Sequence, residues 1–169
     1  GFSVKHLGVL DVTGRFDKVS IEVSANETSP ELSVVTAKID VTSVNTNNEK
    51  RDAHLRSGDF FLAEKHPQLV FTSKKIKKTG PNKFVVTGDL TMRGVTKSVD
   101  LDATFSPIIK TPWGLRTVGF IATTKVNRLD YGVSWNQSLD GGGVLVGNEV
   151  TINLGGEFQE QPDAPAGKK

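Results

Sequence analysis

No cysteine occurs in the 169 residues, which excludes disulfide frameworks, thiol nucleophiles and Cys-based zinc sites together. No apolar run approaches the ~18 residues that a membrane-spanning helix needs. A dominant charge is missing too. Lys plus Arg number 21 against 19 Asp plus Glu, too even a balance for the concentrated basic face that nucleic acid requires. The one local excess, Lys74, Lys75, Lys77 and Lys78, reads as a solvated strand end leading into the turn Gly80-Pro81-Asn82. The alternative for it is contact with an anionic membrane surface or an acidic partner.

Reactive groupings are equally scarce. The three histidines, His6, His54 and His66, lack H-E-x-x-H or other ligand spacing, so no metal site is expected. No G-x-S-x-G exists to seat a serine nucleophile. Gly141-Gly142-Gly143 and Gly155-Gly156 do not lead from a strand into a helix with Lys-Ser/Thr; they read as a flexible turn and a strand bulge rather than phosphate loops. Asp11, Asp17 and Asp140 fall in separate turns, and nothing pairs two carboxylates for acid–base work. Neither catalytic residues nor a cofactor are expected.

What the chain has in quantity is period-two alternation, the pattern of strands with one buried face. It is clearest in Phe84, Val86, Gly88, Leu90, Met92 and in Val95, Lys97, Val99, Leu101, Ala103, Phe105, joined by Arg93-Gly94 as a hairpin turn. The same pattern runs through Val19–Val23, Leu32–Val41, Val118–Val126 and Val150–Phe158, with Phe2–Leu7 and Leu69–Ile76 added. That makes about eight strands, many near 10 residues long, which favours an all-β antiparallel barrel over a compact sandwich. Such a barrel has room for one slender ligand.

One segment breaks the alternation. Asn47 to Arg56 reads as a short helix with Asn47 as N-cap, Gly58 as stop and an Asp52–Arg56 pair on its surface. With Phe60-Phe61-Leu62 it forms either a cap over one mouth or a plain plug of the barrel end. A second grouping, Asn127 to Asn136, brings Arg128, Asp130, Tyr131 and Trp135 into one turn region. There a guanidinium can bind a phosphate or carbonyl head; alternatively Arg128 and Asp130 pair to pin a loop, with Tyr131 and Trp135 as core. The chain begins in strand-like alternation, as expected where a leader or first segment has been removed, and the tail 159–169 is expected to be disordered.

Three stretches, together with two shorter ones, resemble a known family. They are Phe2-Ser-Val-Lys-His6-Leu; Arg51-Asp-Ala-His54-Leu-Arg-Ser-Gly-Asp-Phe60-Phe61 running to His66-Pro67 and Phe71-Thr-Ser; and Gly88-Asp-Leu-Thr-Met-Arg93-Gly-Val-Thr-Lys97. With Asn127-Arg128-x-Asp130-Tyr131-Gly132 and Trp135-Asn136, they resemble the YceI-like polyisoprenoid-binding family over residues 1–158. The resemblance implies an eight-stranded, extended lipocalin-like barrel with a short helix capping one end. It also implies a bound isoprenoid, either a polyprenyl phosphate or a quinone, in an apolar tunnel, and a periplasmic or secreted bacterial setting. Family members carry an upstream strand half ending in His-Ser before the phenylalanine matching Phe2, and this chain lacks it.

The head-group candidates are Arg51, His54, Arg128, Asp130 and Trp135. The tunnel candidates are Phe16, Phe60, Phe61, Phe71, Leu90, Phe105 and Phe120. Transient membrane-surface contact and a homodimer are further expectations. Two rivals remain: an enzyme using Arg128, Asp130 and His54 on a similar apolar substrate, and an accessory domain with a filled barrel.

Overall fold

Alternating apolar residues flanked by Gly, Asn and Pro turns produce strands that bury one face. In a computed structural model describing residues 1–140 and 142–160, they form β1 (Phe2–His6), β2 (Leu10–Phe16), β3 (Val19–Ser24), β4 (Val34–Asp40) and β5 (Val44–Asn45). After helix α1 (Glu49–Arg56) come β6 (Gln68–Gly80), β7 (Lys83–Met92), β8 (Val95–Phe105), β9 (Ile109–Lys110), β10 (Arg116–Asn127) and β11 (Val146–Gln159). Gly141 of the glycine turn and the tail from 161 lie outside the described residues. Gln159 closes β11, and the Glu160 amide donates to the Arg116 carbonyl at 2.9 Å.

All strands join one antiparallel sheet in the order β3-β4-β6-β7-β8-β10-β11-β1-β2-β5, with β9 on β10. The sheet curls on itself around a single apolar interior. Among the described residues eleven strands stand where about eight are expected; β5 and β9 have two residues each, and β2 lies outside the expected alternation. Between β7 and β8, Met92 faces Val95, and Arg93 and Gly94 both have positive φ (51° and 77°), as a two-residue type I′ turn needs.

Two inward-facing glycines let aromatic rings lie flat against the wall. A Cβ on Gly14 would stand 2.4 Å from Cζ of Phe2, its cross-strand partner. A Cβ on Gly88 would stand 2.5 Å from Cζ of Phe71 and 2.5 Å from the Thr72 carbonyl oxygen. Rings accommodated in this way line the interior without filling it.

The two ends differ. At one, α1 and the segment after it lie across the barrel, and Phe16, Phe60 and Phe61 form a floor, with Phe16 edge-on to Phe61 at 5.8 Å. The helix starts one residue later than expected. Asn48 is its N-cap, accepting from the Arg51 amide at 3.0 Å, while Asn47 adopts a left-handed conformation (φ 58°). Asp52 does not pair with Arg56. It is buried, and its Oδ1 accepts from the Thr46 amide (2.9 Å) and hydroxyl (2.6 Å). Arg93 ties this end together, its guanidinium donating to the carbonyls of Gly58 and Gly132. Because Asp52 secures the strand-to-helix link, Asp52→Ala is expected to cost about 1–3 kcal/mol in thermal unfolding. Asp52→Asn, which keeps the acceptor oxygen, is expected to recover most of that loss.

At the other end, Phe84, Phe105, Phe120 and Phe158 form an aromatic ladder across β7, β8, β10 and β11, with successive centroids 5.6, 6.2 and 4.5 Å apart. Arg116, on β10, reaches Glu27 in the β3–β4 connection through two bonds of 2.6 and 2.9 Å. Since β6, β7 and β8 separate those elements in the sheet, this pair straps across the mouth. The guanidinium holds the Glu27 carboxyl below its ordinary pKa through hydrogen bonds and charge. The strap is therefore intact above the usual glutamate range and loosens as pH falls through the lowered value. In an NMR titration Glu27 should protonate at lower pH than free glutamate, and Arg116→Gln should return it to the ordinary range.

Candidate functional site

Inward-facing residues from most of the strands enclose a cavity of about 210 Å³. Valine, leucine, isoleucine, alanine and phenylalanine dominate its wall, and Thr124 and Arg128 are the polar side chains that reach it. All seven tunnel candidates (Phe16, Phe60, Phe61, Phe71, Leu90, Phe105 and Phe120) lie on this lining. Phe2 and Phe158 join them. Both sit in alternating strands, so their inward direction was readable, but not that their rings face open space.

Arg128 opens a short 3₁₀ turn (Arg128–Tyr131) after β10, where the Asn127 side chain caps the Leu129 amide at 3.0 Å. Its side chain is buried, with 4% of the residue exposed, and meets backbone oxygens only. Nε donates to the Gly147 carbonyl at 2.9 Å, and one Nη donates to the carbonyls of Val133 (2.6 Å) and Trp135 (3.0 Å). The other Nη donates to Val146 at 3.3 Å. A guanidinium has five N–H donors, so one remains unspent. Burial pulls its pKa below the ordinary arginine value, and among the described residues no carboxylate pairs with it.

The expected Arg128–Asp130 pair does not form. Residues two apart in a 3₁₀ turn project well away from one another, so with Arg128 turned inward Asp130 is exposed. Tyr131 is core, 2% exposed, and its hydroxyl makes no hydrogen bond among the described residues. Burial, then the nearby Asp130 charge, raises its pKa.

The other head-group candidates lie off the lining. Arg51 is exposed and donates to the Thr46 hydroxyl (2.7 Å) and carbonyl (2.8 Å), bracing the link before α1. His54 contacts Asp59 at 2.8 Å through Nε2 and stands edge-on to Phe60 and Trp135, at 5.0 and 4.8 Å. Trp135 packs on Phe60 at 5.3 Å. His54 and Trp135 thus back the floor residue Phe60 from outside, while Arg128 alone of the five reaches the cavity. Among the described residues no helix is long and apolar enough to cross a membrane, and no cluster of three metal-ligating side chains forms.

This architecture has close counterparts. A model of the YceI-like domain matches residues 1–158. A UPF0312 protein of Staphylococcus aureus (strain MSSA476) is 37% identical over 158 residues, which is 93% of this chain and 90% of the relative. The Campylobacter jejuni YceI protein superposes with a TM-score of 0.81 at 33% identity, covering 96% of this chain and 92% of its own. A polyisoprenoid binding domain from Saccharophagus degradans superposes with a TM-score of 0.67 at 16% identity (95% and 92% covered), which shows a shared fold alone. With its described strands nearly all inside the matched region, this chain belongs to the YceI-like domain family.

Proposed function

We propose that the cavity binds one slender isoprenoid lipid, a polyprenyl phosphate or an isoprenoid quinone, and that the protein carries, stores or senses it in a periplasmic or secreted setting. The observation that carries this reading is an open interior whose wall is apolar apart from Thr124 and Arg128. A filled accessory barrel would not keep such space. At about 210 Å³ the cavity is smaller than typical small-molecule pockets of roughly 300–1,000 Å³. That favours a thin, flexible chain over a bulky ring system, with any excess length leaving by the mouth. The S. degradans domain, whose fold is shared, is a polyisoprenoid binder, which agrees with this choice.

Tail burial alone cannot give selectivity. Each methylene is worth roughly 0.8 kcal/mol against water, but almost nothing against the bilayer the lipid would leave. Discrimination falls to shape and to the head, and Arg128 offers a buried positive charge with an unspent donor. A phosphate or quinone carbonyl there would supply the missing acceptor.

The test is native mass spectrometry and organic extraction of protein made in its natural host, expected to yield a prenyl lipid. Recovering none, with no uptake of added prenyl lipids, overturns the reading. Comparing a prenyl phosphate with the uncharged prenol of equal length isolates the head-group role without disturbing the fold. The phosphate is expected to bind more tightly, and equal affinities would remove Arg128 from the site.

A further inference from the structure

The mouth end carries a feature that lipid binding inside the barrel does not use. The connection from β8 to β10 forms a protruding hairpin. Thr111 and Leu115 are joined at 2.8 Å, and the Gly114 amide, at φ 87°, returns to the Thr111 carbonyl at 2.9 Å. Pro112 and Trp113 occupy the turn, so the tip is rigid. It nevertheless displays apolar side chains to solvent: Trp113 is 75% exposed, Ile109 59% and Ile108 54%. These are large, mostly exposed side chains that fall within six residues of one hairpin.

Charge indicates the partner. The chain from Ala103 to Leu129 contains no Asp or Glu, and the hairpin's own charge is Lys110. The β6–β7 turn beside it, linked where the Phe105 amide meets the Asn82 carbonyl at 2.9 Å, adds Lys77, Lys78 and Lys83. None of these four lysines is in a salt bridge among the described residues, whereas Lys74 is paired with Asp89. Carboxylates at this end are Asp102 on β8, in one cross-strand row with Val85 and Lys77, Glu27 and Glu31 on the β3–β4 connection, and Glu157 and Glu160 at the close of β11. Glu27 and Glu160 face Arg116.

We infer that the hairpin 106–115 docks the mouth of the barrel onto an anionic lipid bilayer, with Ile108, Ile109 and Trp113 entering the interface and the neighbouring lysines meeting the head groups. A tryptophan at a projecting tip suits the membrane interface, where its ring is buried and its N–H stays wet. A protein partner would call for a broader complementary surface than three side chains on one turn. The proposal stands on the hairpin and not on the cavity. It rests on the ligand reading only for its use, which is to bring the mouth to where an isoprenoid resides.

Flotation with phosphatidylcholine vesicles, with and without phosphatidylglycerol, tests it without any prenyl lipid present. The protein should float with the anionic vesicles and be released by salt, since each lysine near such a surface is worth about fivefold in partitioning. The double variant Ile109→Ser/Trp113→Ser should partition at least about tenfold less. Lys77→Gln/Lys78→Gln/Lys83→Gln should abolish the preference for anionic vesicles. Both variants alter exposed residues and should unfold at the wild-type temperature. Wild type that stays unbound, or variants that float like wild type, would overturn the proposal and leave the hairpin to a protein partner. Prenyl-lipid uptake from dispersion, measured separately, should persist in the variants. Its failure in the wild type would sink the ligand reading and leave the docking result standing.

Discussion

Arg128→Ala should lower the stability of the fold by about 3–5 kcal/mol, seen as a fall in melting temperature on the order of 10 °C. The substitution removes one side chain and takes a donor from four carbonyls, those of Val133, Trp135, Val146 and Gly147, of which Val146 keeps the Asn136 amide at 2.7 Å. Buried acceptors left without partners cost more than the bonds themselves contributed. These carbonyls also belong to chain segments on both sides of the connection from the 3₁₀ turn into β11, so losing the guanidinium unpins the start of a fourteen-residue strand. Arg128→Lys should recover part of the loss and no more, because three donors on one nitrogen cannot reproduce a planar fork reaching four acceptors. Equal stability of the alanine variant and wild type would show that the carbonyls find other donors.

Gly88→Val is expected to act on both stability and the lumen. Its Cβ would lie 2.5 Å from the Phe71 ring and 2.5 Å from a backbone oxygen of the adjacent strand, and the second contact cannot be relieved by a rotamer change. Overpacking of this kind costs about 1–3 kcal/mol, and the backbone clash argues for the upper part of that range. The ring, pushed off the wall, moves toward the cavity it now lines, so uptake of a prenyl lipid should fall as well. Adding Phe71→Leu should restore some stability by removing the ring contact while the strand contact persists. Gly119→Ala is the control. Its Cβ would meet Ser106 Oγ at an ordinary 3.6 Å, and it should change stability by no more than about 0.5 kcal/mol.

These two residues also mark where the sequence is legible and where it is not. The β7–β8 hairpin could be read directly because its inward positions are almost all apolar and its turn carries Arg93-Gly94. In β2 the same rule fails. Its inward positions are Val12, Gly14 and Phe16, and the glycine exists to admit a ring from Phe2, twelve residues away; Leu10, on the same face by alternation, is 57% exposed. A strand completed by its neighbour's side chain does not show its own period. The tunnel positions Phe71, Leu90, Phe105 and Phe120 were accessible because strand alternation fixes direction. The role of Arg128 was hidden for another reason: its partners are carbonyls, which every residue has, so no pattern of side chains announces them. Asp52, whose oxygen serves Thr46 rather than Arg56, was misread because i, i+4 spacing describes an exposed helix face and this face is turned inward.

The pairing of β1 with β11 has a consequence in time. Phe2 faces Ile152 and His6 faces Val146, so one side of the first strand is completed by the last. On a ribosome adding about 5–20 residues per second, that side waits roughly 10–30 s for its partner. Neighbouring hairpins such as β7–β8 can form within microseconds, but the curled sheet they belong to cannot. A barrel assembled in this order should refold on the slow, millisecond-to-second scale of non-local β topologies. Until it does, the surfaces destined to face a lipid face the solvent instead, and the nascent chain is most exposed to aggregation just before its final strand arrives.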